Sequence, residues 1–259
     1  MNTKWNLIKL GDMDPYTAKA LDEALIIARS SRAIGNTLVV RKALTSVWLG
    51  RRASLSLVNI SFCKENDIPI ARAFQDGGAT LVGGMPGISL VMDTELFSSK
   101  YDNHILLDCI AQAYRELGLP AKVRQGSNDI LVGEKKIAGT TVQSFGDTLF
   151  YGGTITLDFD YDLARDVLRI PSEKFKDKKA KSVEEWVTSA KIELGREVSF
   201  DEAVHALKTG FEEILRVEFD LSTSLSEAVE RLIEGLQEKY RSEEWLKTGR
   251  WSPVKDYGR

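Results

Sequence analysis

Histidine and cysteine are almost missing from this chain, with two of each among 259 residues. His104 and His205 each stand alone on a predicted helix, and no Cys–Cys or His–x–His spacing offers a zinc site. Cys63 and Cys109 fall in apolar, helix-like stretches, which excludes a disulfide framework and argues against an activated thiolate. Charge of one sign is also lacking: 35 Lys and Arg against 38 Asp and Glu leave a net −3. Without a basic surplus, neither nucleic acid nor an anionic membrane is the expected partner. No run of 18 apolar residues and no N-terminal apolar stretch occurs, so the expectation is a reduced, cytoplasmic protein.

What is present reads as helices and strands intermixed. Asp14-Pro15 is a capping carboxylate followed by a first-turn proline, and Ala18, Leu21, Ala24, Leu25 and Ala28 then recur at helical spacing. TLVVR (37–41), SVWLG (46–50), IPIARAF (68–74), GISLVM (87–92) and GTITLDFD (153–160) read as strands, and LSLVNISFCKEN (55–66) as an amphipathic helix. NHILLDCIAQAYRELG (103–118) is a helix stopped by glycine and then proline. AKVRQ, NDILVG and KKIAGTTV form a strand cluster with a Gly-Glu turn, which puts Lys135 and Lys136 just past a hairpin. Ser199/Glu202 and Ser224/Glu227 have the spacing of capping boxes at two later helices. The charged, unpatterned stretch 171–182 reads as a mobile loop and a candidate to close over a ligand. There is no regular βαβ alternation. The expectation is therefore one α+β domain over 1–259, with a mostly antiparallel or mixed sheet flanked by helices.

Two stretches could carry chemistry. DGGATLVGGMPG (76–87) holds five glycines in twelve residues, which suits either backbone N–H groups approaching an anion or a pair of tight turns. It matches neither a Walker P-loop nor a dinucleotide-binding G-x-G-x-x-G. GEKKIAGTT (133–141) sets two lysines before a small, flexible run, and spacing alone leaves a solvated pair and a working residue both open.

Several stretches resemble the lipoate–protein ligase A family, in that family's order. VWLGRRAS (47–54) is similar to its strand ending in G-R-x-Q, and VNISFCKENDIPIARAF (58–74) to its NxEYCKENGIxVVRR. GGATLV (77–82) stands where RRxSGGGxVxH ends, and SNDILVGEKKIAGT (127–140) resembles NDLLVDGRKIxGS. KYRSEEWLKTGRWSP (239–253) resembles the K-Y-x-S-x-E-W…S-P that closes the family's large domain. The resemblance implies the α+β fold shared with biotin ligases. It also implies adenylation of lipoate by ATP, as its Mg²⁺ complex, and transfer of lipoate, octanoate or a related acyl group to a lysine of a lipoyl-domain protein.

By the same resemblance Lys136 is the catalytic lysine of K-I-x-G, with Lys135 its exposed neighbour. Arg51, Arg72, Gly77, Gly78 and Ala79 match substrate- and ATP-binding positions, as do Asn128, Gly139 and Thr140. Asp129 matches another and would help hold Mg²⁺. Ending just past W-S-P, the chain resembles split ligases, so a separate small-domain protein is an expected partner.

The departures lie in the pocket. Ala73 replaces an arginine, Gln75 and Asp76 a serine and a glycine, Val82 and Gly152 histidines, and Trp186 an arginine. Asp76 would make the site less attractive to anions unless it holds a metal. Two other readings share these residues: an acyl-carrier-dependent octanoyl or lipoyl transferase using a cysteine nucleophile, and a non-catalytic module that binds lipoyl domains. A biotin ligase would need a G-R-G-R-x-G pattern that this segment lacks.

Overall fold

The computed structural model describes residues 4–96, 102–169 and 182–251. Its strands are β1 (Lys4–Met13), β2 (Thr37–Ala43), β3 (Ser46–Leu49), β4 (Ile70–Arg72), β5 (Ala79–Val82) and β6 (Pro86–Asp93). After these come β7 (Ala121–Val123), β8 (Asp129–Val132), β9 (Lys135–Phe145), β10 (Thr148–Ile155) and β11 (Glu218–Ser222). The helices are α1 (Pro15–Ser30), α2 (Ile60–Glu65), α3 (Asp102–Glu116), α4 (Tyr161–Val167) and α5 (Val183–Trp186). They continue with α6 (Ala190–Leu194), α7 (Phe200–Leu215), α8 (Glu227–Arg241) and α9 (Glu243–Thr248).

Eight strands form one mixed sheet in the order β11-β1-β2-β6-β10-β9-β8-β7. β11, β1 and β2 run parallel, and every later neighbour is antiparallel. A three-stranded sheet, β4-β3-β5, stands apart from it. The architecture is α+β, as the mixed order of elements implied. Alternation along the strands divides the core. Leu38, Val40, Ile88, Leu90 and Tyr151 belong to a cluster with residues of α3 and α7, whereas Val39, Val91 and Phe150 join residues of α1 and α8. No described helix is long and apolar enough to cross a membrane.

Local chemistry explains both the agreements and the departures. Asp14 caps α1 by accepting from the backbone N–H groups of Tyr16 and Thr17, and Ser199 and Glu202 form the reciprocal capping box of α7. The second expected box is displaced: Ser226, not Ser224, caps α8, because it directly precedes the helix and accepts from Val229 N–H. The expected helix at 55–66 is split. A 3-10 turn capped by Ser54 covers Leu55–Leu57, Val58 bridges to Leu168, and only Ile60–Glu65 is α-helical. The strand expected at 153–160 ends at Ile155, because the Thr156 amide donates to the Tyr114 hydroxyl and Asp160 already caps α4. β1 and β11 carried no strand expectation, since exposed and buried positions there do not alternate cleanly. The loop expected at 171–182 lies outside the described residues except for Ser182, which caps α5.

Candidate active site

Register places one row of residues across the sheet: Asp129 on β8, Gly139 on β9, Thr154 on β10, Gly87 on β6 and Arg41 on β2. Directly paired residues share a face, so this row forms a floor, and Gly139 and Gly87 leave it bare between charged ends. Gly139 and Arg41 lie three strand spacings apart, about 14 Å. Above the floor is a cavity of about 540 Å³, roofed by Trp48, Leu49 and Gly77 to Leu81 and bordered by Phe159, Trp186 and Val187. That volume is in the range of small-molecule sites.

Lys136 reaches this face through a bulge. The β8–β9 register slips by one residue between Ile130 and Leu131, so that Leu131 pairs with Lys136 and Ile130 with Ala138. Lys136 and Gly139 are three positions apart, an odd spacing that would put them on opposite faces in a regular strand. The extra residue, Ile137, returns them to the same side. The Lys136 ammonium sits 2.5 Å from an Asp129 carboxylate oxygen and 6.0 Å from the centre of the Trp186 ring. It occupies the space over Gly139, where a Cβ would stand 2.6 Å from Nζ. The backbone of Lys136 is pinned too, its carbonyl accepting from Thr188 N–H at 2.8 Å. Lys135 opens β9 one residue earlier and is half-buried. Thr140 lines the cavity, while exposed Asn128 approaches it through its carbonyl, which accepts from the Thr140 amide at 3.2 Å.

At the other end lies a group that no motif signalled. Lys19 and Asp22 on α1, Arg41 on β2 and Ser89 on β6 are all more than nine-tenths buried. Asp22 takes an ion pair from Lys19 at 3.1 Å and from Arg41 at 2.9 Å, and a hydrogen bond from the Ser89 hydroxyl. The Lys19 ammonium also stands 3.4 Å from the centre of the Trp48 ring. Burial lowers the Lys19 pKa to about 8, with Asp22 opposing the shift and Arg41 adding to it. The two cations and one carboxylate together leave one positive charge. Neither Arg41 Nε nor Trp48 Nε1 has an acceptor among the described residues. Each orphaned buried donor costs roughly 1–3 kcal/mol. The sequence signal was faint: a Lys–Asp pair at i, i+3 amid the apolar residues of α1, and an arginine on the face of β2 that carries Val39.

The glycine-rich segment divides into the two uses its composition suggested. Gly77, Gly78 and Ala79 line the cavity, and Gly50 on the neighbouring turn is pressed so close that a Cβ there would lie 2.4 Å from the Gly77 carbonyl oxygen. Gly83-Gly84 makes the turn from β5 to β6, with Gly84 at φ +63°. Asp76 does not leave a bare negative charge, because the Arg52 guanidinium forks onto its carboxylate and holds its pKa below the usual range. Asp76 borders both this cavity and a second, polar one of about 580 Å³ that also touches Arg51, Arg52, Lys247 and Arg250.

Arg72 borders that second cavity, but its guanidinium turns Nε and Nη1 into the protein. It donates to the carbonyls of Gly50, Arg51, Ala53 and Leu246 at 2.7–2.9 Å, and burial lowers its pKa. Trp245 Nε1 donates to the Arg72 carbonyl, while Lys239 and Tyr240 both reach Glu23 on α1. The closing K-Y…E-W segment is thus a structural tie. Of the pocket departures, Ala73, Gln75, Gly152 and Trp186 line the first cavity, whereas Val82 is buried beside Ala43 and Met85. Among the described residues no group of three or more His, Cys, Asp or Glu is placed to hold a metal.

The lipoyl protein ligase A/B catalytic domain model matches residues 14–212. Lipoate-protein ligase A subunit 1 of Thermoplasma acidophilum is 31% identical over 198 residues, covering 73% of this chain and 75% of its own. An octanoyltransferase, LipM, of Moorella thermoacetica is 23% identical, covering 94% of this chain and 97% of its own. A solved structure described as a bi-partite lipoate protein ligase and its E2 lipoyl domain from T. acidophilum superposes with a TM-score of 0.78 at 27% identity. It covers 96% of this chain and 99% of its own. The bare sheet floor, the bulge that aims Lys136 across it and these matches agree: the chain belongs to the lipoyl protein ligase A/B catalytic domain family.

Proposed function

We propose that the protein adenylates lipoate or a related medium-chain acyl group with MgATP and transfers it to a lysine of a lipoyl-domain protein. The observation that carries this reading is the Lys136 ammonium, held by Asp129 over bare Gly139 in the lining of a cavity that Asp76 also borders. A carboxylate oxygen of the acid attacks the α-phosphorus of ATP, and the α–β phosphoanhydride bond breaks to release pyrophosphate. The attack brings two anions together, and an ammonium between them stabilises the charge that builds as the bond forms. In transfer, the acceptor amine attacks the acyl carbonyl, AMP leaves with the electron pair of the acyl–oxygen bond, and the amine proton passes to solvent. The ammonium serves again by holding the carbonyl oxygen.

Arg51 and Arg250 beside the second cavity suit a polyphosphate, and the Arg52 fork offsets the negative charge of Asp76. Gly77, Gly78, Ala79 and Thr140 would line the acyl-adenylate, with Asn128 supporting Thr140 through its carbonyl. The names of the Thermoplasma relative and of its bi-partite structure support a lipoyl-domain acceptor and a companion subunit. The octanoyltransferase relative supports a second reading, in which the acyl group arrives as a carrier thioester. Cys63 and Cys109 give that reading no nucleophile, since both are buried in apolar clusters and burial raises both thiol pKa values.

The test is pyrophosphate release with ATP, Mg²⁺ and lipoate or octanoate, with and without a small-domain companion. Acyl-dependent release supports adenylation, and its absence from a folded protein that still transfers from an acyl carrier would favour the second reading. Gly139→Ala is a sharper probe of the geometry. Its Cβ would displace the end of the Lys136 side chain from Asp129. Activity should fall about 100-fold, as for a catalytic group misplaced by an ångström. The melting temperature should barely move, since a flexible chain end absorbs the clash.

A further inference from the structure

The floor of the first cavity is bare glycine, yet a lysine stands at each end of it. The Lys136 side chain is 27% exposed, whereas that of Lys19, which lines the same cavity, is only 5% exposed. The Lys19 ammonium makes one hydrogen bond among the described residues, to Asp22, and otherwise rests on the face of the Trp48 ring. The charged groups that face it are Asp22 from its own helix and Arg41 from β2. β6 adds the uncharged Ser89 hydroxyl, and β3 the Trp48 indole.

These partners are complete without the Lys19 proton. Arg41 donates to Asp22 and to Ser89, and Ser89 donates to Asp22, so one cation and one carboxylate already balance. A neutral Lys19 amine would still donate to Asp22. Arginine keeps its proton, and Asp22, although burial opposes it, is held ionised by Arg41 and Lys19. Lys19 is therefore the group able to discharge the cluster. Burial has carried it part of the way, lowering its pKa to about 8. The cavity is the side from which water can still reach the ammonium. Hydrocarbon placed there replaces that water, and a charge so enclosed loses its proton rather than stay unsolvated.

We infer that Lys19 makes acyl binding proton-linked: a tail long enough to lie against it binds with release of one proton, and a short acid does not. Lys19 is thus a specificity-determining residue whose bearing on chain length changes with pH. Below about pH 8 a long tail must displace the proton, which narrows its advantage over a short acid. At higher pH the amine is already neutral and the advantage is complete. The inference rests on the acyl-activating reading for the orientation of the acid, carboxylate toward Lys136 and tail toward Lys19.

Octanoate and butanoate share a carboxylate and differ in reach, so they are the probes, with lipoate as a second long acid. Their binding to the wild-type protein would be measured by titration calorimetry without ATP from pH 6.5 to pH 9. Buffers of differing ionisation enthalpy count the protons, and pyrophosphate release with ATP is followed in parallel. Octanoate affinity is expected to rise about 30-fold across that range and to level off above pH 8, the linkage for a group of pKa near 8 that is neutral in the complex. At pH 6.5 close to one proton should leave per octanoate bound. Butanoate cannot span the three strand spacings to Lys19 and should show neither effect. Lys19→Met keeps the Asp22–Arg41 pair and should bind octanoate equally tightly at both ends of the range, with a melting curve to show that it folds.

Octanoate affinity that does not change with pH overturns the inference, as does a rise that butanoate or Lys19→Met shares. Failure of octanoate and lipoate to bind at any pH overturns it too. If Lys19→Met does not fold, the proton count and the contrast with butanoate decide on the wild type alone. The two readings fail separately. Proton-linked binding without pyrophosphate release sustains the role of Lys19 and defeats adenylation, whereas release with pH-independent binding defeats the role of Lys19 alone.

Discussion

Lys136→Ala is expected to lower acyl-dependent pyrophosphate release by at least 100- to 1,000-fold while leaving the melting temperature nearly unchanged. The first half follows from the role assigned to the ammonium. A fixed donor aimed at developing oxyanion charge in a confined site contributes ~3–4 kcal/mol to the barrier, and no second cation stands in Lys136's place over Gly139 among the described residues. The second half follows from exposure. The Lys136 and Asp129 side chains are 27% and 16% exposed, so water can rehydrate Asp129 once the ammonium is gone. Loss of a partly exposed ion pair costs about 1 kcal/mol or less. Lys136→Arg should not rescue activity, because a planar guanidinium needs more room than the compact ammonium that fills the space over Gly139. Single-turnover release of labelled pyrophosphate and a thermal melt on the same samples decide the matter. A variant that melts with the wild type and turns over within tenfold of it would remove Lys136 from the chemistry.

How much of this was legible in the sequence depended on the kind of interaction. Local chemistry was readable: Asp14-Pro15 starts α1, and the Gly-Glu turn before Lys135 makes the hairpin of β8 and β9. Elements settled by distant partners were not. β1 and β11 are strands because they pair with β2 and with each other, and Thr156 leaves its strand because Tyr114 holds its amide. The candidate site follows the same division. Lys136 could be named from K-I-x-G, but the bulge at Ile137 that turns it onto the floor is a property of register. Lys19, Asp22 and Arg41 could not be named at all. Each is an ordinary charged residue until α1 is laid across β2 and the three are shut away from water together. They also lie outside every motif that carries the family resemblance.

Arg72→Met carries the second large expectation, and its sign separates two roles for the same arginine. Resemblance places Arg72 among ATP- and substrate-binding positions. A phosphate-binding arginine would lose ATP affinity on substitution and leave the fold intact. The geometry gives a different expectation. The guanidinium is spent on four carbonyls from three segments: the turn after β3, the residues leading to the 3-10 turn, and α9. Methionine fills much of the volume but donates nothing, so these buried acceptors lose their partner together. With each lost partner costing ~1–3 kcal/mol and water reaching some of them, a net loss of about 3 kcal/mol or more is expected. For a chain of this size that corresponds to a melting temperature lower by roughly 10 °C. Arg72→Lys should recover little, because one ammonium cannot reach carbonyls spread around a planar fork. ATP-dependent stabilisation of the surviving folded fraction should persist, since the Nε and Nη1 donors are committed to carbonyls rather than to the cavity Arg72 borders. A variant that melts with the wild type but no longer responds to ATP would return Arg72 to the phosphates. Nη2, which donates to none of the four carbonyls, is the atom that would then serve the phosphate.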